Sequence, residues 1–377
     1  MTAQKLPPQT KIEELESLRG MAALLVVIFH LPKWNPILDI GIINNGYLMV
    51  DLFFVLSGFV IFTAYSNRIE TKTELIRFQF LRFGRLYPVH LVFLFAYFAL
   101  EVAKYVAVHK LGTQDIRVTP FGENSFGALV EQLFLLQAIG PTGNVVTYNY
   151  PAWSISVEFY TYLIFGLSIL FFRKLTILLF FVVALIAILM LQTQSTYGFT
   201  ELLSCLAGFF IGCITASFVK ESKINLPNYL SLIIFIFIIL FLQLKSSTDF
   251  DLAIYFLTSA LIISLVLSRG GWFRKVLKHK TLTWLGLVSY SVYMSHAIIL
   301  WAVNNVFSRL LKRPEIQGAQ GRRILSLTTS ESLIAIFAVL IVVLVVSQIT
   351  YLLIEKPMRE KSRRFALSKL ASPRDNN

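Results

Sequence analysis

The sequence predicts an all-α polytopic membrane protein with about ten transmembrane helices. Of its 377 residues, 56% are hydrophobic and only 15% are charged, whereas soluble domains carry about 25% charged residues. Apolar stretches of roughly 18 to 25 residues recur along the chain, and each is long enough to cross a bilayer. The 33 Phe residues suit a surface that faces lipid. These observations argue against a large soluble domain.

About ten apolar segments are candidate spans, and a further one near 126–139 is too short to cross comfortably. We expect that short segment to form a re-entrant or surface helix. The candidate spans are 15–32, 46–66, 86–108, 151–172, 175–192, 200–219, 228–244, 251–268, 284–308 and 331–354.

The net charge of +13 could indicate a nucleic-acid partner, but the apolar stretches argue against one. Most of the 34 basic residues fall in segments that an alternating topology places on one side, including 269–280 and the tail. The positive-inside rule therefore predicts that both termini are cytoplasmic, in an inner (plasma) membrane. Loop 309–329 is an exception, with basic residues on the outer side. A solvated loop is the simpler interpretation, and contact with anionic lipid or an acidic glycan is the alternative.

The organisation is simple, with one membrane domain over 1–360 and a basic cytoplasmic tail over 361–377. Cys205 and Cys213 lie in one apolar stretch, which argues against a disulfide framework or a cysteine zinc site. We expect no metal. The chain also has no phosphate-binding glycine loop and no G-x-S-x-G elbow.

Arg19 and His30 are candidate functional residues because ionisable groups inside a membrane are costly. Eleven helical residues turn through about 1100°, roughly 20° past three turns, and rise about 16 Å. The two side chains therefore share one helix face, one near each end. The alternative is an interfacial arginine and a hydrogen-bonded histidine at a helix end.

Two carboxylates could act with His30. Asp51 begins the second span, which follows the first after a short loop, so it should lie at a depth near His30. A carboxylate on one imidazole nitrogen would leave the other nitrogen as a base; a simple helix N-terminal charge is the alternative. Glu158 lies a few residues into the fourth span. It could carry a proton, accept a hydrogen bond from a sugar hydroxyl, or pair with His30.

Two polar clusters suggest ligand binding. Arg82 and Arg85 lie three residues apart before the third span, and their guanidinium forks suit phosphate oxygens; positive-inside charge explains them equally well. Ser289, Tyr293 and His296 recur at spacings of four and three, which places them on one face of the ninth span, with His296 in its inner half.

Taken in order, these segments resemble acyltransferase family 3, whose members are integral-membrane O-acyltransferases of about ten helices. The resemblance covers residues 15 to about 359. It is carried by Arg19-x10-His30, VDLFFVLSGFVI (50–61), RFGRLYP (82–88), WSISVEFYTYL (153–163), SYSVYMSH (289–296) and IEKPMR (354–359).

The resemblance implies transfer of an acetyl or other short acyl group from cytosolic acetyl-CoA to a hydroxyl of an extracytoplasmic or lipid-linked glycan, such as O-antigen or exopolysaccharide. It implies that Arg19 and His30 are the essential pair and that Glu158 is the family's W-S-x-S-x-E glutamate. The sequence stops about twenty residues after IEKPMR, and we therefore expect it to lack the hydrolase-like domain that some relatives carry.

In the mechanism that we expect, coenzyme A phosphates bind Arg82 and Arg85, helped by the basic segment 269–280. Tyr293 and His296 also belong to this coenzyme A site.

At the reacting end, His30 acts as general base or as a transient acyl carrier. Arg19 steadies the thioester or a coenzyme A phosphate, and Asp51 or Glu158 orients His30. The rival interpretation is a proton-coupled transporter or flippase that uses Arg19, His30 and Glu158 as a polar path.

Overall fold

The computed structural model describes residues 12–112, 119–317 and 323–370. This part of the chain is almost entirely helical, and two short strands pair between the last two long helices. The elements in chain order are α1 (Glu13–Phe29), α2 (Gly41–Asn44), α3 (Met49–Tyr65), α4 (Lys72–His109), α5 (Phe126–Leu133), α6 (Trp153–Phe171), α7 (Thr176–Gln192), α8 (Thr200–Glu221), α9 (Leu230–Leu244), α10 (Ala253–Leu267), α11 (Trp272–Leu277), α12 (Lys280–Asn305), β1 (Glu315–Gln317), β2 (Arg323–Leu325), α13 (Thr329–Thr350) and α14 (Lys356–Lys369).

Within the described ranges, 7 helical segments are long and apolar enough to cross a membrane. They contain α3, α4, α6, α8, α10, α12 and α13. Helices α1 and α7 have 17 residues each and α9 has 15. Each predicted span therefore contains a helix, which confirms the helical membrane class. The count of about ten crossings and the side of each terminus stay predictions.

Helix α1 packs closely along α12, and this packing positions the site. A Cβ atom on Gly20 would lie 2.6 Å from the Gly286 nitrogen, and one on Gly286 would lie 2.1 Å from the Glu16 carbonyl oxygen. Only glycine allows so close an approach. Further along, the His30 ring meets the His296 ring, so the two helices run in the same direction.

Helix α4 differs from the sequence prediction. The span was expected to start at residue 86, but the helix begins at Lys72 and has 38 residues, or about 57 Å. A Thr71–Glu74 capping box starts it. Its first half is supported by other helices, because the Gln79 amide donates to the Phe159 carbonyl at 3.0 Å and Phe80 packs against Phe365 at 5.2 Å.

The short helix expected near 126–139 is smaller than predicted. Helix α5 ends at Leu133, and Leu135 takes a left-handed conformation with φ 57°. The carboxylate of Glu131 then accepts hydrogen bonds from the Thr142 amide nitrogen, at 2.9 Å, and from the Thr142 hydroxyl. These contacts fold residues 134–149 back on α5 as an irregular loop.

The predicted outer loop 309–329 contains two short strands. Strands β1 and β2 pair in antiparallel register, and the Leu327 amide donates to the Trp34 carbonyl at 3.1 Å. Arg313 forms an ion pair with Glu331. One basic residue of this loop is therefore engaged by the protein, whereas Arg322 lies outside the described residues.

The domain boundary predicted at 360 falls inside α14, which extends to Lys369. Residues 371–377 of the predicted tail lie outside the described residues, as do Lys5 and Lys11 of the amino-terminal segment.

Candidate active site

A cavity of about 280 Å³ opens where α1, α3, α4, α12 and the start of α14 meet. We call it the arginine cavity. Its lining contains four arginines and two glutamates, namely Arg19, Arg68, Arg85, Arg359, Glu16 and Glu355. Arginine therefore outnumbers carboxylate two to one, which suits an anionic ligand.

A second cavity of about 80 Å³, which we call the tyrosine cavity, adjoins the first one. Arg19, Arg85, Ser289 and Tyr290 line both cavities. The other residues of the tyrosine cavity include Ser154, Glu158, Tyr162 and Tyr293. The two cavities therefore meet at the four residues that they share.

Arg19 and Arg85 lie at the junction of the two cavities. The Arg19 side chain is 11% exposed and lies 3.9 Å from Glu16 on the same helix. Arg85 is half-buried. Both guanidinium groups therefore line the two cavities, and the assignment of Arg19 to the chemistry and of Arg85 to donor binding stays a prediction.

Glu158 lies in the tyrosine cavity, where its carboxylate accepts hydrogen bonds from two hydroxyl groups. The Ser57 and Tyr162 hydroxyls each donate to its carboxylate at 2.5 Å. Tyr162 comes one helical turn after Glu158, so the local periodicity of α6 brings them together. Pairing with His30 was one of three roles left open for Glu158, and no hydrogen bond joins the two residues in the described part of the chain. Glu158 lies instead in the wall of the tyrosine cavity.

Asp51 is positioned differently from the expectation. Its carboxylate accepts hydrogen bonds from the Ser204 hydroxyl and, at 3.1 Å, from the Tyr255 hydroxyl. It therefore joins α3 to α8 and α10, and does not orient His30. The prediction considered only the hairpin of the first two spans and could not reveal that α8 and α10 pack beside Asp51.

His30 and His296 face each other beyond the tyrosine cavity. Their ring centroids are 5.0 Å apart, and the Tyr150 ring lies 5.0 Å from His30. Tyr293 connects this pair to the cavity, since its ring is 5.8 Å from His296 and its hydroxyl accepts a hydrogen bond from Ser154 at 2.9 Å. His296 was expected in the inner half of its span, whereas it lies level with His30, which was expected near the outer end of the first span.

Arg82 is a predicted ligand residue that does not line either of the two cavities. Its guanidinium donates to the Tyr65 hydroxyl at 3.2 Å and stacks over the rings of Tyr65 and Phe78. The residue is only 8% exposed. Its position three residues before Arg85 predicted that the two side chains lie together on the helix surface. The Arg82 side chain contacts Tyr65 at the end of α3 instead.

The basic segment 269–280 is also engaged elsewhere. Arg274 binds Glu14 through Nε at 2.8 Å, and Lys278 lies 3.4 Å from the same carboxylate. This segment therefore holds α11 against the start of α1.

Several cavity residues were not singled out by the sequence as ligands. Arg68 and Arg359 resemble ordinary charges at helix ends, and Tyr290 resembles an aromatic-belt residue. Glu355 lies 3.7 Å from Arg359 and accepts a hydrogen bond from Ser291 at 2.8 Å. Only their convergence in space reveals them.

Comparison with known proteins decides the family. The profile of the family described as "Acyltransferase domain" matches residues 12–352. The chain belongs to acyltransferase family 3.

Among its relatives, acyltransferase MdmB of Streptomyces mycarofaciens is 32% identical over 46% of this chain and 43% of its own length. Protein 2 in the picA locus of Rhizobium radiobacter is 35% identical over 40% of this chain and 78% of its own length. The peptidoglycan O-acetyltransferase OatA of Listeria monocytogenes is 23% identical over 77% of this chain and 49% of its own length. This family member therefore spans less than half of MdmB and OatA in those alignments. No solved structure matches the chain.

Proposed function

We propose that this acyltransferase family 3 protein is a membrane O-acyltransferase that moves an acetyl or other short acyl group from acyl-CoA to a glycan hydroxyl. One observation carries the proposal. A cavity rich in arginine continues into a tyrosine-lined cavity that reaches Tyr293, next to two facing histidines. Such a route suits a long anionic donor whose reactive end must be buried.

The donor enters from the cytoplasm, where acyl-CoA is made, and its phosphates bind in the arginine cavity. Arg68 and Arg359 stand at the open end of that cavity, where both are exposed. Their planar forks match phosphate oxygens. Arg85 extends the positive charge of the cavity inward, and Arg82 does not bind the donor phosphates.

The acyl end of the donor lies in the tyrosine cavity. Arg19 and Arg85 stabilise the negative charge that develops on the thioester oxygen during attack, as preorganised donors do in a site that excludes water. Glu158, Ser154 and Tyr293 shape the wall around the acyl group. His30 is the general base for the attacking hydroxyl or the residue that carries the acyl group between donor and acceptor.

The acceptor approaches from the side opposite the arginine cavity. There the His30 end of α1 leads into loop 31–45 and faces the β1–β2 hairpin through Trp34 and Leu327. The name of the OatA relative, a peptidoglycan O-acetyltransferase, supports a carbohydrate acceptor. In this proposal both termini are cytoplasmic, the membrane is the inner (plasma) membrane, and the acceptor is a cell-surface or lipid-linked saccharide such as O-antigen or exopolysaccharide.

The test uses purified protein in lipid nanodiscs with acetyl-CoA labelled in the acetyl group. The acceptor probe is surface polysaccharide extracted from a strain in which the gene is deleted. We expect label to enter the polysaccharide with matching release of free CoA, and His30→Ala to abolish both while the protein keeps its thermal transition. Transport of the saccharide across proteoliposomes without CoA release would refute acyl transfer and support a flippase.

A further inference from the structure

The proposed function gives a role to His30 but none to His296, the histidine that faces it. The planes of the His30 and His296 rings are inclined by 44° at a centroid distance of 5.0 Å. His296 is fully buried and His30 is half-buried. They come from parallel helices whose separation is set by Gly20 and Gly286.

The hydrogen bonds define which nitrogen of each ring carries hydrogen. Nδ1 of His30 lies 2.9 Å from the Val26 carbonyl oxygen, and Nδ1 of His296 lies 2.7 Å from the Tyr293 carbonyl oxygen. A carbonyl oxygen only accepts, so each Nδ1 must be the donor. In a neutral imidazole, Nε2 then bears the lone pair.

The Nε2 atom of His296 is buried without a hydrogen-bond partner in the described part of the chain. Buried polar atoms normally have partners, so this lone pair is available to a proton or to a ligand. The pocket thus holds two imidazoles, each with its Nδ1–H tied to its own helix.

Carboxylates, the usual partners of a catalytic histidine, are engaged elsewhere. Asp51 accepts hydrogen bonds from the Ser204 and Tyr255 hydroxyls. Glu158 accepts hydrogen bonds from the Ser57 and Tyr162 hydroxyls. Of the described residues, the ionisable groups whose rings approach the pair are Tyr150 and Tyr293. The second imidazole therefore occupies the place of the carboxylate.

We propose that His296 is a second base, and that His30 and His296 hold one shared proton during acyl transfer. The inference rests on the proposed function. As the acceptor oxygen bonds to the acyl carbon, its O–H bond breaks and the proton goes to Nε2 of His30. The His30 ring then turns its new Nε2–H bond from the acceptor oxygen towards His296 and donates an N–H···N hydrogen bond to Nε2 of His296.

The same proton leaves with the donor. When the C–S bond breaks, its electron pair goes to sulfur, and the proton passes from His296 to the thiolate to give free CoA. His296 suits this step because Tyr293 links it to the tyrosine cavity. The products are the acyl ester and the thiol, so atoms and charge balance without a further reactant.

The test compares His296→Gln with the wild type using two donors, acetyl-CoA and p-nitrophenyl acetate, and the extracted polysaccharide as acceptor. Nitrophenolate leaves without needing a proton, whereas the thiolate is a stronger base. We expect kcat with acetyl-CoA to fall roughly 10²–10⁴-fold, the range of general acid–base catalysis. With p-nitrophenyl acetate we expect a much smaller loss, and His30→Gln should lose activity with both donors.

Two further readouts separate a proton-sharing role from a structural or ligand-binding one. A shared proton favours the protonated pair, so His296→Gln should move the acid limb of the kcat–pH profile to lower pH, with KM for acetyl-CoA unchanged. His90→Gln is the matched control, because His90 is equally buried and bonds through Nε2 to the Gln132 carbonyl at 2.9 Å. It should leave the donor ratio and the pH limb unchanged.

Equal losses with both donors and an unmoved pH limb would overturn the proposal, and so would a raised KM at unchanged kcat. Wild-type protein that never releases CoA with polysaccharide present would instead overturn the proposed function itself.

Discussion

Arg68 and Arg359 should determine how tightly the donor binds, through the phosphates of coenzyme A. They come from distant parts of the sequence and meet at the open end of the arginine cavity. Removing either guanidinium removes a charge-assisted hydrogen bond, which is worth about 1.5–3 kcal/mol. Both residues are exposed, so the lower end applies, and about 1.4 kcal/mol corresponds to a tenfold change in affinity.

We therefore expect Arg68→Ala and Arg359→Ala each to raise KM for acetyl-CoA roughly tenfold, and the double variant up to roughly 100-fold if the effects add. The kcat at saturating donor should change little, because these contacts are equal in the ground and transition states. The assay is CoA release from nanodisc-embedded protein as a function of acetyl-CoA. Acetyl-dephospho-CoA, which lacks the 3′-phosphate, should show a smaller difference between wild type and variants if one arginine binds that group.

Two arginines provide matched controls. Arg364 lies on the same helix as Arg359 but is 77% exposed and pairs weakly with Glu360 at 4.0 Å, so Arg364→Ala should leave KM unchanged. Arg82→Ala should lower thermal stability, since it removes the contact with Tyr65, without raising KM. If Arg82→Ala raised KM while Arg68→Ala and Arg359→Ala did not, the assignment of the phosphate site would be wrong.

Three further predictions follow from the packing. Glu158→Gln keeps the shape of the tyrosine cavity but removes the negative charge of the side chain. We expect kcat to fall at least tenfold, about 1.4 kcal/mol, with a thermal transition close to that of the wild type. An unchanged kcat would refute a role for Glu158 at the cavity wall. Gly286→Ala places a methyl group against the Glu16 carbonyl, which should cost about 1–3 kcal/mol and lower the melting temperature in detergent; wild-type stability would show that α1 and α12 can separate freely. Asp51→Asn should reduce stability by about 1–3 kcal/mol by weakening the bond from Tyr255, and a large loss of kcat at unchanged stability would restore Asp51 to the chemistry.

Local sequence patterns predicted the helices well because the hydrocarbon core of a bilayer sets the same requirement for each crossing segment separately. A stretch that crosses a bilayer must satisfy its own backbone and remain apolar over about 20 residues. The failures occurred where neighbouring elements override that rule. Helix α4 extends back to Lys72 because α6 and α14 support its polar half, and α5 stops early because Glu131 binds the returning loop.

The candidate site was only partly predictable from the sequence. The spacing of Arg19 and His30 on one helix is a local property, and the prediction that they share one face rests on that spacing alone. The partners of His30 were not predicted correctly, because they depend on which helices pack together. Asp51 was expected beside it, whereas His296, assigned to donor binding, lies 5.0 Å away.

The sequence by itself determined the helical membrane class, the family and the presence of costly polar groups in apolar segments, because each is encoded in composition, hydropathy or contiguous motifs. Only the tertiary structure decided how those groups are used. It turned Arg82 towards Tyr65, brought Arg68 and Arg359 to one cavity, and set two imidazoles face to face. The physical reason is that contacts between helices depend on close packing at a few positions such as Gly20 and Gly286, and no single segment contains both sides of such a contact.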